Sequence, residues 1–109
     1  MDISFASSQL EKQCNDLRLL ERKQGKIRAE KILNRLSDIR AAVILEDLRN
    51  YGRLHELKGN RAGQLSFDLD HPYRLICIPD DDPIPRKPDG GLDWTKITKL
   101  HVLEIVDTH

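Results

Sequence analysis

A single α+β domain is predicted from three features of the 109-residue sequence. Apolar residues recur at helical spacing in its first half, they alternate at strand spacing in its second, and a basic, glycine-containing stretch lies between. A chain of this length buries a core without disulfides or a metal. The whole of 1–109 is therefore expected to form one domain.

Ile3 to Phe5 is a brief apolar start suited to an edge strand, and Ser8 followed by Glu11 fits a capping box that opens a helix. Leu10, Cys14, Leu17 and Leu20 then form one apolar stripe at three- and four-residue spacing. Gly25 interrupts the pattern, and a second helix follows with Ala29, Ile32, Leu33 and Leu36 on one face. Its other face is basic: Arg18 to Arg40 holds eight Lys/Arg against three acids. Such a face is either plain solvated surface or a footprint for RNA or an acidic partner. Ala41 to Asn50 reads as a further short helix with Val43, Ile44 and Leu48 inward, ended by Tyr51 and Gly52.

Strand character takes over after Gly63. Leu65, Phe67 and Leu69 alternate with polar neighbours, Asp70-His71-Pro72 makes a tight turn, and Tyr73 to Ile78 is a strand buried on both faces. The two strands are expected to pair as a hairpin. Arg74 beside the buried run is read as paired with a carboxylate. Pro79 to Trp94, with four prolines, two glycines and five aspartates, is expected to be a surface loop. Contiguous Asp80, Asp81 and Asp82 cannot all converge on one metal ion. Trp94 either pins the loop to the body or anchors a partner. Ile97 to Val106 is the last strand, and Asp107-Thr108-His109 follows it.

The formal charge is zero but unevenly spread, with thirteen Lys/Arg against nine Asp/Glu in 1–61 and five against nine in 62–109. That balance argues against nucleic-acid binding by bulk charge while allowing a local basic face. Cys14 and Cys77 have no metal-like or redox spacing and read as reduced, buried thiols. The longest purely apolar run, Ala41 to Leu45, is far too short for a signal or transmembrane segment, so a soluble, cytoplasmic protein is expected.

The stretch richest in chemistry is Arg53-Leu-His-Glu-Leu-Lys-Gly-Asn-Arg-Ala-Gly63. Arg53, His55, Lys58 and Arg61 sit within these eleven residues, with Leu54 and Leu57 as apolar anchors. Histidine exchanges protons near neutrality, and Gly59-Asn60 favours a turn. A short strand followed by a basic turn can hold a phosphate beside a proton-transfer group. An ordinary solvated hairpin end fits the same residues. A zinc-protease reading of His55-Glu56 fails, because no second histidine follows at the required spacing.

Taken with Tyr73-Arg74-Leu75 and Val106-Asp107-Thr108-His109, this stretch resembles the HigB-type killer toxins of the RelE/ParE superfamily, from bacterial toxin–antitoxin pairs. The resemblance implies a RelE-like α+β fold, with two to three N-terminal helices on a curved, mostly antiparallel sheet of four to five strands. It implies a metal-independent, ribosome-dependent endoribonuclease that cuts mRNA in the A site. Carried over by residue, it nominates His55, Lys58, Asp107 and His109 as catalytic, and Arg53, Arg61, Arg74 and Tyr73 for RNA and phosphate. Thr108 stands at the family's tyrosine position, which leaves Tyr73 as the aromatic candidate for stacking on a base. The implied partners are a cognate helix-turn-helix antitoxin, the ribosome and mRNA, with operator DNA reached only through the antitoxin. No cofactor, metal or membrane partner is implied. Two rivals share the fold: a non-enzymatic ParE-like gyrase inhibitor, and a weakened toxin that serves mainly as the antitoxin's co-repressor.

Overall fold

The structure, a computed structural model, describes residues 1–108. Strand β1 (Asp2–Phe5) leads into helices α1 (Ser8–Cys14), α2 (Leu17–Gln24) and α3 (Lys26–Ala41). A 3₁₀ turn (Leu45–Leu48), β2 (His55–Glu56) and a second 3₁₀ turn (Gly59–Arg61) follow. Then come β3 (Leu65–Asp68), β4 (Tyr73–Pro79) and β5 (Lys99–Asp107). The five strands make one sheet in the order β1-β5-β4-β3-β2, antiparallel throughout except for the parallel β1–β5 pair. This is the α+β arrangement expected, with three helices and five strands.

Local chemistry explains the helix boundaries, and in two places it differs from the sequence reading. Ser7, not Ser8, caps α1, its hydroxyl accepting from the Leu10 amide at 3.1 Å. The single long helix expected from Leu10 to Leu20 is two. Asp16 turns the chain out and caps α2 by accepting from the Leu19 amide at 3.2 Å. The break shifts the helical phase, so Cys14 and Leu20 are buried while Leu17 is exposed. Gly25, at φ 83°, ends α2 and begins α3, a junction that its left-handed backbone allows. Ala29, Ile32, Leu36 and Ile39 form the buried stripe of α3.

Residues 41–50 are a third departure. They form a single 3₁₀ turn because the Asp47 carboxylate accepts from the amides of Val43 and Ile44, at 3.0 and 3.2 Å. The amides of Leu45 and Glu46 then donate to the carbonyls of Ile97 and Trp94, at 2.9 and 3.0 Å. This docking turns Leu45 and Leu48 inward and leaves Val43 75% exposed, contrary to the expectation that Val43 faces the core.

Helices and sheet meet in one core. Leu65, Phe67, Leu75, Cys77, Leu100 and Val102 on the strands pack with the stripe of α3. Both cysteines are buried and free, and burial raises the Cys14 thiol to about 11 and Cys77 further still. Strand β4 is buried on both faces at Leu75, Ile76 and Cys77, as its continuous apolar run predicts. The β4–β5 register shifts between Ile76 and Cys77, a bulge that bends the sheet.

Residues 79–94 leave the sheet as a loop with one isolated bridge, Arg86 to Leu92. Leu92 and Trp94 are buried and pin it. The Trp94 indole N–H donates to Glu56 at 3.1 Å, and the Arg49 guanidinium lies 4.7 Å from its ring. The three aspartates diverge: Asp80 accepts from Ser4, Asp81 from Thr98 and Lys99, and Asp82 precedes a cis proline.

Leu45→Ala is expected to cost about 2–5 kcal/mol and Val43→Ala less than about 0.5 kcal/mol, both read by urea unfolding. Equal losses would contradict the inward and outward positions of these side chains.

Candidate functional site

Alternation along the strands sends Leu65, Phe67, Leu75 and Cys77 toward the helices and Ser66, Asp68, Arg74 and Ile76 to the opposite face. The hairpin register then aligns these outward residues in rows. One row runs His55, Ser66, Ile76, Glu104 across β2, β3, β4 and β5. The next runs Asp68, Arg74, Val106. Strand spacing and rise place the α-carbons of His55 and Arg74 roughly 12 Å apart on this face.

His55 has a defined tautomer when neutral. Its Nδ1 lies 2.8 Å from the Arg53 carbonyl oxygen, which can only accept, so Nδ1 carries the proton and Nε2 is left as the acceptor. The ring is half-buried on the edge strand. Lys58 opens the 3₁₀ turn that follows, exposed, and makes no ion pair among the described residues.

Arg61 leaves that turn and crosses β3 and β4. Its Nη1 donates to Gln64 Oε1 at 2.8 Å and to Glu104 Oε2 on β5 at 3.4 Å. The guanidinium therefore passes over the row that holds Ser66 and Ile76, both fully buried. Arg74 projects from the same face and donates to Asp68 Oδ1 at 2.5 Å, the carboxylate pairing expected from its place beside a buried run. Arg53 reaches Asp68 Oδ2 at 3.5 Å. Between Arg53, Asp68, His71, Tyr73 and Arg74 lies a cleft of about 220 Å³. A wider depression of about 760 Å³, along 79–86, is lined by three aspartates and is a poor fit for an anion.

Four nominated residues, His55, Arg61, Arg74 and Arg53, thus gather on the helix-free face or its rim. Tyr73 borders the cleft beside Arg53 and Arg74, but its ring does not turn to the open face. It packs against the core on the helix side, with the Arg28 guanidinium 3.5 Å from its ring centre, so that ring face is already covered. Asp107 ends β5 opposite Tyr73 and is exposed. His109 lies outside the described residues.

Sequence reasoning missed Asp68, Glu104 and Arg28. The signal for Asp68 was present: β3 and β4 reflect about His71, so position 68 falls opposite 74. Nothing local marks Arg28, which comes from α3 to grip Asp70 with two hydrogen bonds of 2.9 and 3.0 Å.

No family model matches the chain, and no curated protein sequence does. Solved structures do. Over the full length of both chains it is similar to a YoeB/ParE toxin from Agrobacterium tumefaciens, at 14% identity and a TM-score of 0.62. It is similar to the YoeB dimer of Staphylococcus aureus at 20% identity and a TM-score of 0.58, covering 100% of this chain and 97% of that one. The YoeB–YefM complex from Staphylococcus aureus follows at 19% identity and 0.57, with the same coverage. The fold is that of the YoeB/ParE toxins. At such identities the likeness is one of architecture, and the HigB-type resemblance continues to rest on the sequence motifs.

Arg28 clamps Asp70 at the β3–β4 turn of this sheet, and the clamp has a pH signature. Hydrogen bonding from Arg28 holds the Asp70 carboxyl below its ordinary value against the opposing effect of burial. A depressed folded pKa adds stability above the ordinary carboxylate range near pH 4, and that stability is lost as pH falls through the folded value. Arg28→Met should be less stable at pH 7 and lose less on acidification below about pH 4, read by thermal unfolding from pH 7 to 2. Parallel pH profiles for the two proteins would exclude the clamp as their source.

Proposed function

We propose that this protein is the toxin of a type II toxin–antitoxin pair, a HigB-type, ribosome-dependent and metal-independent endoribonuclease that cuts mRNA in the A site and so blocks translation. The observation that carries the reading is the helix-free sheet face, where a histidine with a defined acceptor nitrogen stands with Arg61, Arg74 and Arg53.

The reaction needs few parts. A base takes the proton of the ribose 2′-hydroxyl, whose oxygen attacks the adjacent 3′-phosphate. The P–O5′ bond breaks, and an acid returns a proton to the leaving 5′-oxygen. Fixed cations hold the extra charge on the crowded phosphate. His55 and His109 share the base and acid roles, His55 through Nε2. Lys58, Arg61, Arg74 and Arg53 hold phosphates. Asp107, two residues before His109, orients a histidine or a base edge. Tyr73, packed under Arg28, offers only its remaining ring edge to RNA.

The partners follow from the reading. A cognate helix-turn-helix antitoxin would bind the toxin and link it to operator DNA, the ribosome would present the mRNA, and both would meet it in the cytoplasm. The YoeB structures from Staphylococcus aureus include a heterotetrameric YoeB–YefM toxin–antitoxin complex, which supports a paired antitoxin here. The ParE-like gyrase inhibitor shares the architecture but has no use for a histidine held in one tautomer.

Induced expression without antitoxin should arrest growth and create new mRNA ends inside reading frames within minutes. His55→Ala and His109→Ala should each lower cleavage at least about a hundredfold. Arrest with DNA damage and no new mRNA ends, unchanged in both variants, would replace the ribonuclease with the gyrase-type inhibitor.

A further inference from the structure

Asp68 lies inside the proposed phosphate site, where a substrate anion would have to go. It stands on β3 directly across from Arg74 on β4. One carboxylate oxygen accepts from Arg74 Nη1 at 2.5 Å, and the other is 3.5 Å from Arg53 Nε. Two oxygens bridging two guanidinium groups is the arrangement that two non-bridging phosphate oxygens adopt. The pair with Arg74 is also sheltered, since the side chains of Arg74 and Asp68 are only 12% and 28% exposed. Shelter weakens the solvent screening that makes surface ion pairs nearly neutral in energy.

The backbone is shaped to maintain this contact. Gly52 and Arg53 both adopt left-handed backbone angles, φ 56° and 49°, in a tight turn closed by the Leu54 amide on the Tyr51 carbonyl at 3.0 Å. Arginine is costly in that region, yet it occupies it here. The Gly52 carbonyl accepts from the Asp68 amide at 2.7 Å, so the turn is stitched to the residue its arginine contacts. A Cβ on Gly52 would come within 2.5 Å of Arg35, whose Nε donates to the Asp68 carbonyl at 3.4 Å.

We infer that Asp68 is a built-in phosphate surrogate that sets the RNA specificity of this face. In the free protein it holds Arg74 and Arg53 in position, and an incoming phosphodiester must take its place on them. A loosely bound polyanion gains little from that exchange, because it replaces one ion pair with another. An RNA also held by Arg61 and His55 gains those further contacts and wins the exchange. Asp68 thereby penalises non-specific binding. Glu104 does the same for Arg61 more weakly, over 3.4 Å and with its side chain 44% exposed. This inference rests on the reading that the face binds RNA.

The test is binding of a fluorescein-labelled, 2′-O-methyl single-stranded oligoribonucleotide, which cannot be cleaved, by fluorescence anisotropy from 50 to 200 mM salt. Asp68→Asn should bind about tenfold tighter than wild type, and Glu104→Gln by a smaller factor. The slope of log K against log salt should steepen by about 0.7 in Asp68→Asn, because a phosphate replaces counterions where it formerly replaced a carboxylate. Wild-type binding with equal or weaker binding by a thermally stable Asp68→Asn would overturn the inference while leaving the ribonuclease reading intact. No binding by either protein would overturn the inference, while the ribonuclease reading, in which the ribosome presents the mRNA, stands or falls on the mapped mRNA ends. If Asp68→Asn does not fold, the arginine Nε–H resonances of wild type decide: the Arg74 signal must move as the oligonucleotide saturates, and a stationary signal refutes the exchange.

Discussion

The register of the β3–β4 hairpin governs what every other element presents. Asp68 opposite Arg74, Phe67 opposite Leu75 and Ser66 opposite Ile76 are one pairing, reflected about His71. A slip of β4 by one residue against β3 would turn Leu75 out of the core and bring Arg74 into it. Arg28 opposes that slip from outside the sheet, binding Asp70 at one end of the turn and covering Tyr73 at the other. The helical layer does more than cover the core. It sets which residues of β4 face the solvent.

On the open face the chemistry is one of matched charges. A chain with no net charge has no long-range pull on nucleic acid. The structure goes further, because Arg74 and Arg61 are each held by a carboxylate of the same face. Recognition by such a face depends on position. If the face binds RNA as proposed, a phosphate must arrive where a carboxylate already sits, and the contacts that bring it there come from β2 and the turn after it. The same pairing keeps the guanidinium groups ordered before any ligand arrives, so less side-chain entropy is lost on binding.

The departures from the sequence reading have a common origin. Ser7 in place of Ser8, the break at Asp16 and the outward Val43 all arise where a short polar side chain captures a backbone amide and resets the phase of the chain. Apolar periodicity cannot register such a capture, because it depends on which amide is free once the neighbouring turn has formed. Where no capture intervenes, as in α3, β3 and β4, the apolar pattern matches most of the buried residues, the exceptions being Leu33, only partly buried, and Ser66, buried on the opposite face of β3.

The sequence alone determined the α+β class, the strand hairpin and its turn, and the burial of β4 on both faces, and it nominated the residues proposed for proton transfer and phosphate. These follow from periods of 3.6 and 2 and from residue chemistry, which are local properties. Tertiary structure alone decided which of those residues share a face. It placed His55, Arg61 and Arg74 together, turned Tyr73 beneath Arg28, and set Asp68 and Glu104 against the arginines. Such pairings join Arg61 to Glu104 and Arg28 to Asp70, 43 and 42 positions apart. Electrostatic contact depends on distance through space, and the chain acquires those distances only when the helices close over one side of the sheet.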